Sequence, residues 1–216
     1  MKIIFIMKTK SKSFLLSALL VGVSMLPSAL VAQTGLVEAD KPKFDDLPSP
    51  DISVAKSKKF KPKDWLEVEM KFKVKMDPKN YKEKFVDKVT VKWYVAVKVK
   101  IDGKEKVRLL EKEVNYVNVP TDEDLYASVY LSPAAVKRIS GGDRAAKGVV
   151  EAVGGEIRIN GSEAVKQSGY FTTLPRSKGK WWEELSPYNK IPLRNKNETP
   201  FKFLWWDRYP EIQEKR

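Results

Sequence analysis

At 216 residues and 42% hydrophobic content, the chain is long enough for one domain with a real core. It has no Cys and no His, which excludes disulfides, thiolate nucleophiles, zinc–thiolate sites, and every serine–histidine or cysteine–histidine mechanism. Its 41 Lys and Arg against 28 Asp and Glu give a formal charge of +13, interspersed rather than blocked. Most of that excess reads as solubilising charge on wet strand faces, and the sharper reading is an anionic partner.

The start of the chain has the order of a secretory signal. Lys2, Lys8, Lys10 and Lys12 are followed by an apolar run from Phe14 to Leu26, then by small residues up to Ala32. Residues 1–32 are therefore expected to be a signal peptide cut after Ala32, with translation starting at Met1 or Met7. The run is short for a transmembrane helix. An uncleaved anchor is the competing reading. Export to the periplasm, outer membrane or cell surface follows, with no membrane span left after cleavage. Residues 33–50 are polar, contain Pro42, Pro48 and Pro50, and read as a linker.

Residues 51–175 carry about seven strand-like segments. The first is near Ile52–Ser57. In the second, Trp65–Met76, Leu66, Val68, Met70, Phe72 and Val74 alternate with charged residues. In the third, Lys88–Ile101, Val89, Val91, Trp93, Val95, Val97 and Val99 alternate with Thr90, Lys92, Tyr94, Ala96, Lys98 and Lys100. Side chains on a strand alternate between faces, so each strand buries one face and wets the other. Trp93 is then an inward core residue. Lys71, Lys73, Lys75, Lys92, Lys98 and Lys100 become a candidate solvent-facing basic surface. Asp102-Gly103 predicts a hairpin. The fourth strand, Lys106–Asn118, slips its alternation at Leu109–Leu110, where a bulge is expected.

The fifth strand is Leu125–Leu131. A short helix should follow, with Ser132 as N-cap, Pro133 in the first turn and Gly141 as left-handed terminator. The sixth, Gly148–Ile159, contains Gly154-Gly155, read as a break or bulge. Asn160-Gly161 predicts a second hairpin into the seventh, Glu163–Leu174. This pattern indicates an all-β protein, an immunoglobulin-like antiparallel sandwich of about seven strands with one short helix. A small β-barrel is the alternative. The chain departs from true immunoglobulin domains in lacking the Cys pair.

Residues 176–216 form an irregular tail. Four of the six tryptophans lie here, as Trp181-Trp182 and Trp205-Trp206, with Pro187, Pro192, Pro200 and Pro210 preventing long regular structure. So many aromatics do not suit a disordered tail. They either pack on the sandwich or form a contact surface, with Trp181, Trp182, Trp205, Trp206 and Tyr209 the candidate residues for a protein partner or a glycan.

No catalytic, cofactor-binding or metal-binding residue stands out. Asp122, Glu123 and Asp124 are three adjacent acids, which alone do not build a calcium cage. Glu151, Glu156 and Glu163 lie near the last hairpin without a spacing that shows a glycosidase pair. No nucleic-acid partner is expected for an exported protein.

Val89-Thr90-Val91-Lys92-Trp93-Tyr94 and Phe203-Leu204-Trp205-Trp206, with the signal segment and the cysteine-free strand pattern, resemble the small secreted immunoglobulin-like proteins of Verrucomicrobia encoded near type IV pilus genes. The resemblance covers residues from about 33 to the end. It implies a non-enzymatic periplasmic or outer-membrane accessory, linked to pilus assembly or host contact, whose partner is another envelope or pilus protein. A carbohydrate-binding module using the tail tryptophans is the alternative, with an acidic glycan as the ligand that the basic charge would suit.

Overall fold

A computed structural model describes residues 35–51, 61–79, 81–142, 147–164 and 169–214. The signal segment, the Ala32 cleavage point and the strand expected at Ile52–Ser57 lie outside them.

Two antiparallel sheets pack face to face, and neither closes into a barrel. In the first, β3 (Asp64–Met76) pairs with β6 (Leu125–Leu131) on one side. On its other side it carries β1 (Gly35–Ala39) and β2 (Lys43–Pro48) in tandem. In the second, β4 (Phe85–Ile101) runs between β5 (Lys104–Pro120) and β7 (Val150–Ile159). The short strands β8 (Ser162–Glu163) and β9 (Tyr170–Thr172) lie along β7. The chain thus crosses between sheets from β3 to β4, from β5 to β6 and from β6 to β7. Immunoglobulin sandwiches use the same alternation, with B beside E and C beside F.

Alternation explains the core. Leu66, Val68, Met70, Phe72 and Val74 of β3 are at most 1% exposed and face Val89, Val91, Trp93, Val95 and Val97 of β4. Both predicted hairpin turns form. Asp102 and Gly103 have φ of 52° and 74°, and Asn160 and Gly161 have 48° and 89°. Two consecutive left-handed residues are what a two-residue turn between twisted strands requires. The helix α1 (Pro133–Ser140) joins β6 to β7. Ser132 accepts the Ala135 N–H, and Gly141 closes it at φ 76°.

Three expectations are corrected. Most of the segment read as a linker is β1 and β2, with Val37 fully buried and Phe44 against the core. An edge strand buries only one face, so a short, polar-looking segment suffices. Pro42 falls in the turn between the strands and Pro48 ends one, where a missing N–H costs no ladder bond. No bulge occurs at Leu109–Leu110, where β4 and β5 stay in register. Leu110 points into the main core and Leu109 into a second cluster on the outer face, so both are buried. Finally, β7 runs unbroken through Gly154-Gly155, and the register shift lies at Ala96/Val97 of β4. The glycines make room. A Cβ on Gly154 would lie 2.6 Å from the Trp182 ring, and one on Gly155 2.4 Å from Phe171.

Candidate functional site

The tail joins both sheets. Trp181 and Trp182 begin it, in a 3₁₀ turn on the outer face of the second sheet. There Tyr94, Ala96, Leu109, Ala152 and Tyr170 form an apolar patch that the two indoles cover. Trp182 stacks on Tyr94 at 4.8 Å and 9°, and meets Tyr170 and Trp181 edge-on. Trp181 Nε1 donates to Thr172 Oγ1 at 3.0 Å. Lys180 and Arg158 both reach the buried Glu156 carboxylate, at 2.7 and 3.2 Å. Trp181 and Trp182 are 8% and 3% exposed, so these two candidate contact residues are core residues instead.

The chain then crosses to the first sheet. β10 (Arg194–Asn195) pairs with β6, and β11 (Glu211–Ile212) returns to pair with β5. Between them, 3₁₀ turns cover the outer side of β3 and β6. Phe201 is the anchor, 1% exposed, stacked on Tyr130 at 5.4 Å and met edge-on by Trp65 at 5.9 Å.

Beneath Phe201 lies a polar layer. Tyr130 donates to Glu67 at 2.7 Å and accepts from Ser128. Burial pushes the Glu67 carboxyl up, against the Tyr130 hydrogen bond. Tyr209 donates to Glu69, which Arg208 also reaches at 3.3 Å while its guanidinium lies over the Tyr126 ring. Burial raises the Tyr209 phenol strongly, so it stays a neutral donor.

Lys196, 4% exposed, donates to the carbonyls of Leu204 and Lys202, and its ammonium lies 4.7 Å from the centre of the Tyr209 ring. Burial lowers its pKa, with the charge of Glu67 opposing that shift.

A capping box holds the start of this segment. Asn195 accepts the Glu198 N–H, and Glu198 accepts the Asn195 N–H at 2.8 Å while Lys112 of β5 donates to both its oxygens. Burial works to raise the Glu198 carboxyl, but Lys112 and the Asn195 N–H outweigh it and the net shift is downward. A depressed carboxyl stabilises the fold above its unfolded value of 4.5, and that contribution disappears as pH falls through the lower folded value. Glu198→Ala should cost about 0.5–2 kcal/mol at neutral pH, the range for losing a cap. In urea titrations the variant and parent should converge at acid pH. Equal midpoints at neutral pH would show that this clamp carries no stability.

Beyond the buried anchor the side chains turn outward. Phe203, Trp205 and Trp206 are 68%, 44% and 58% exposed. Trp205 has φ 55° and ψ 41°. The other left-handed non-glycine residues among those described are Asp102, Asn118, Asp122 and Asn160, types that tolerate this region. A tryptophan there costs about 1–2 kcal/mol. Trp205 nevertheless stacks on Phe201 at 6.3 Å, and the turn projects Trp206 into solvent. Strain held in place by surrounding packing is a mark of functional positions.

The candidate basic surface divides. Lys71, Lys73 and Lys75 lie on the outer face of the first sheet and Lys92, Lys98 and Lys100 on that of the second, because β3 and β4 belong to different sheets. Carboxylates also take up much of the charge. Asp124 holds Lys71 and Lys73, Glu38 holds Lys75, and Glu151 holds Lys98. Lys92 lies over the Tyr94 ring. Asp124 and Glu151, weighed above as calcium or glycosidase acids, are thus ion-pair partners.

Sequence comparison places this architecture in a known family. A family model matches residues 28–216. The chain is similar to a protein of Akkermansia muciniphila, a verrucomicrobium, whose crystal structure is known. The two are 35% identical over 86% of this chain and 96% of that one, with a TM-score of 0.78. The chain belongs to the family of that Akkermansia protein. No curated protein matches. The match to the Akkermansia relative covers most of both chains, so likeness reaches well past a shared sandwich core.

Proposed function

We propose that the protein is a non-catalytic interaction module of the cell envelope that works as a pilus-associated accessory, and that Phe203, Trp205 and Trp206 are its contact surface. The observation that carries this reading is the contrast between the two tryptophan pairs. Trp181-Trp182 is fully used inside the fold, whereas Trp205-Trp206 is held outward at a backbone cost. Exposed large aromatics grouped on one turn are the usual anchors of protein interfaces. The signal-like start supports an exported location. Membership of the verrucomicrobial family and the resemblance to proteins encoded near pilus genes support the pilus link. Among the described residues no helix is long and apolar enough to cross a membrane, and no cluster of acids that could hold a metal occurs.

A second reading, carbohydrate binding through the same tryptophans, is favoured by the open groove beside Trp206. Affinity capture from envelope extract of the source organism tests the first reading. The mature chain should retain a partner that Trp205→Ala/Trp206→Ala loses while keeping its melting temperature. Equal capture by both chains, or no partner for either, would sink it.

A further inference from the structure

We propose that the groove between the Lys196 turn and β11 binds an acidic sugar residue of a glycan chain. This deepens the carbohydrate reading of the same surface and rests on it. The groove encloses about 420 Å3 and is walled by Phe203 and Trp206, with Tyr209 and Lys196 among its lining residues. That volume falls in the range of small-ligand sites, ~300–1,000 Å3.

Charge selects the sign of the ligand. Lys196 is a buried cation with no carboxylate within ion-pair distance among the described residues, and its bonds go to two carbonyls and a ring face. Lys202 also lines the groove, 5.8 Å from the Phe203 ring centre. Its acidic partner Glu214, at 3.4 Å, is 74% exposed, and such a pair is worth little and exchanges readily. The protein's own ammonium groups therefore sit at the ring faces where a cationic ligand would have to lie. An anion meets two lysines there. Glu211 and Glu214 also line the groove, where they can accept hydroxyl hydrogens but repel a second charge.

Shape selects the class. Trp206 and Phe203 offer exposed flat faces, and Asn197 and Glu211 offer hydrogen-bonding groups beside them. A pyranose has an apolar C–H face and a polar rim of hydroxyls, which matches that division. An extended peptide adding to a sheet needs a free strand edge. Here β11 and the Gln213 N–H already take the neighbouring edge of β5 at residues 115–117. The strained Trp205 fixes the turn in advance, so binding orders little and loses little entropy.

The test is calorimetric titration of the mature chain with trisaccharides ending in a uronate, a sialate or a sulfated hexose, each beside its neutral counterpart. At least one acidic member should bind roughly tenfold more tightly than its counterpart, a difference of about 1.4 kcal/mol. Its binding should weaken severalfold between roughly 50 and 500 mM salt. Trp206→Ala should remove binding, and Lys202→Gln should weaken it severalfold at unchanged melting temperature. Binding by no acidic member, equal binding of acidic and neutral pairs, or indifference to both substitutions overturns the proposal. If sugars fail while Trp205→Ala/Trp206→Ala still loses a protein partner, this inference falls and the interaction-module reading stands.

Discussion

Ending the chain at Pro175 is expected to abolish cooperative folding. Such a chain lacks Trp181, Trp182, Ile191, Leu193 and Phe201, all at most 8% exposed in the intact protein. At about 1.5–3 kcal/mol for each large apolar side chain, their burial is worth on the order of 10 kcal/mol. Ordering the tail offsets part of that, but typical net stability is only about 5–15 kcal/mol. The truncation also uncovers Tyr94, Ala96 and Leu109 on one sheet and, on the other, Tyr130, the donor to Glu67. Circular-dichroism melting and gel filtration of the two chains decide the matter. A shortened chain that stays monomeric and keeps the parent melting temperature would show that the tail is an accessory rather than part of the fold.

Replacing Trp93 by Ala should cost about 3–5 kcal/mol, the range for deleting a large buried aromatic. Trp93 is fully buried between the sheets and meets Phe171 edge-on at 5.2 Å, in space that Gly155 leaves open. The cavity would be lined by β-branched side chains on rigid strands, which relax poorly. No disulfide limits the unfolded chain, so a loss of this size is a large part of the total. Trp93→Phe should cost less, because it keeps the ring contact and removes an indole N–H that is buried without a partner among the described residues. Chemical denaturation gives both values. A loss below ~1 kcal/mol for the alanine variant, the usual range of surface sites, would place Trp93 outside the core.

The two tryptophan pairs show where local pattern stops being informative. Nothing local separates Trp181-Trp182 from Trp205-Trp206, since each is a Trp-Trp in an irregular, proline-rich stretch. What separates them is the receiving surface. The first pair lands on Tyr94, Ala96, Leu109 and Gly154, which come from a hairpin and from a third strand some forty-five residues further on. A trace of that surface is present in the chain. Tyr94 and Ala96 interrupt the lysines on the wet side of β4, and Leu109 sits at a position that should be polar. Each departure marks an outer face that something must cover. The basic surface failed for a related reason. Parity assigns a side of a strand but not the sheet the strand joins, so six lysines on the wet sides of two strands ended on opposite faces of the molecule.

Strand periods, inward residues, both hairpin turns and the capped helix are all legible in the amino-acid order, because each depends on contacts within a few residues. Composition alone bounds the chemistry, since a chain without Cys or His cannot carry thiolate or imidazole catalysis. Three features instead belong to the assembled fold. Residues 35–48 supply edge strands, one tryptophan pair is core while the other is surface, and Lys196 sits buried beside an aromatic groove. These depend on pairings across as many as 140 residues, such as Tyr209 with Glu69, and on which surfaces the fold leaves uncovered. Periodicity records which face of a strand is apolar. It does not record which segment arrives to cover it.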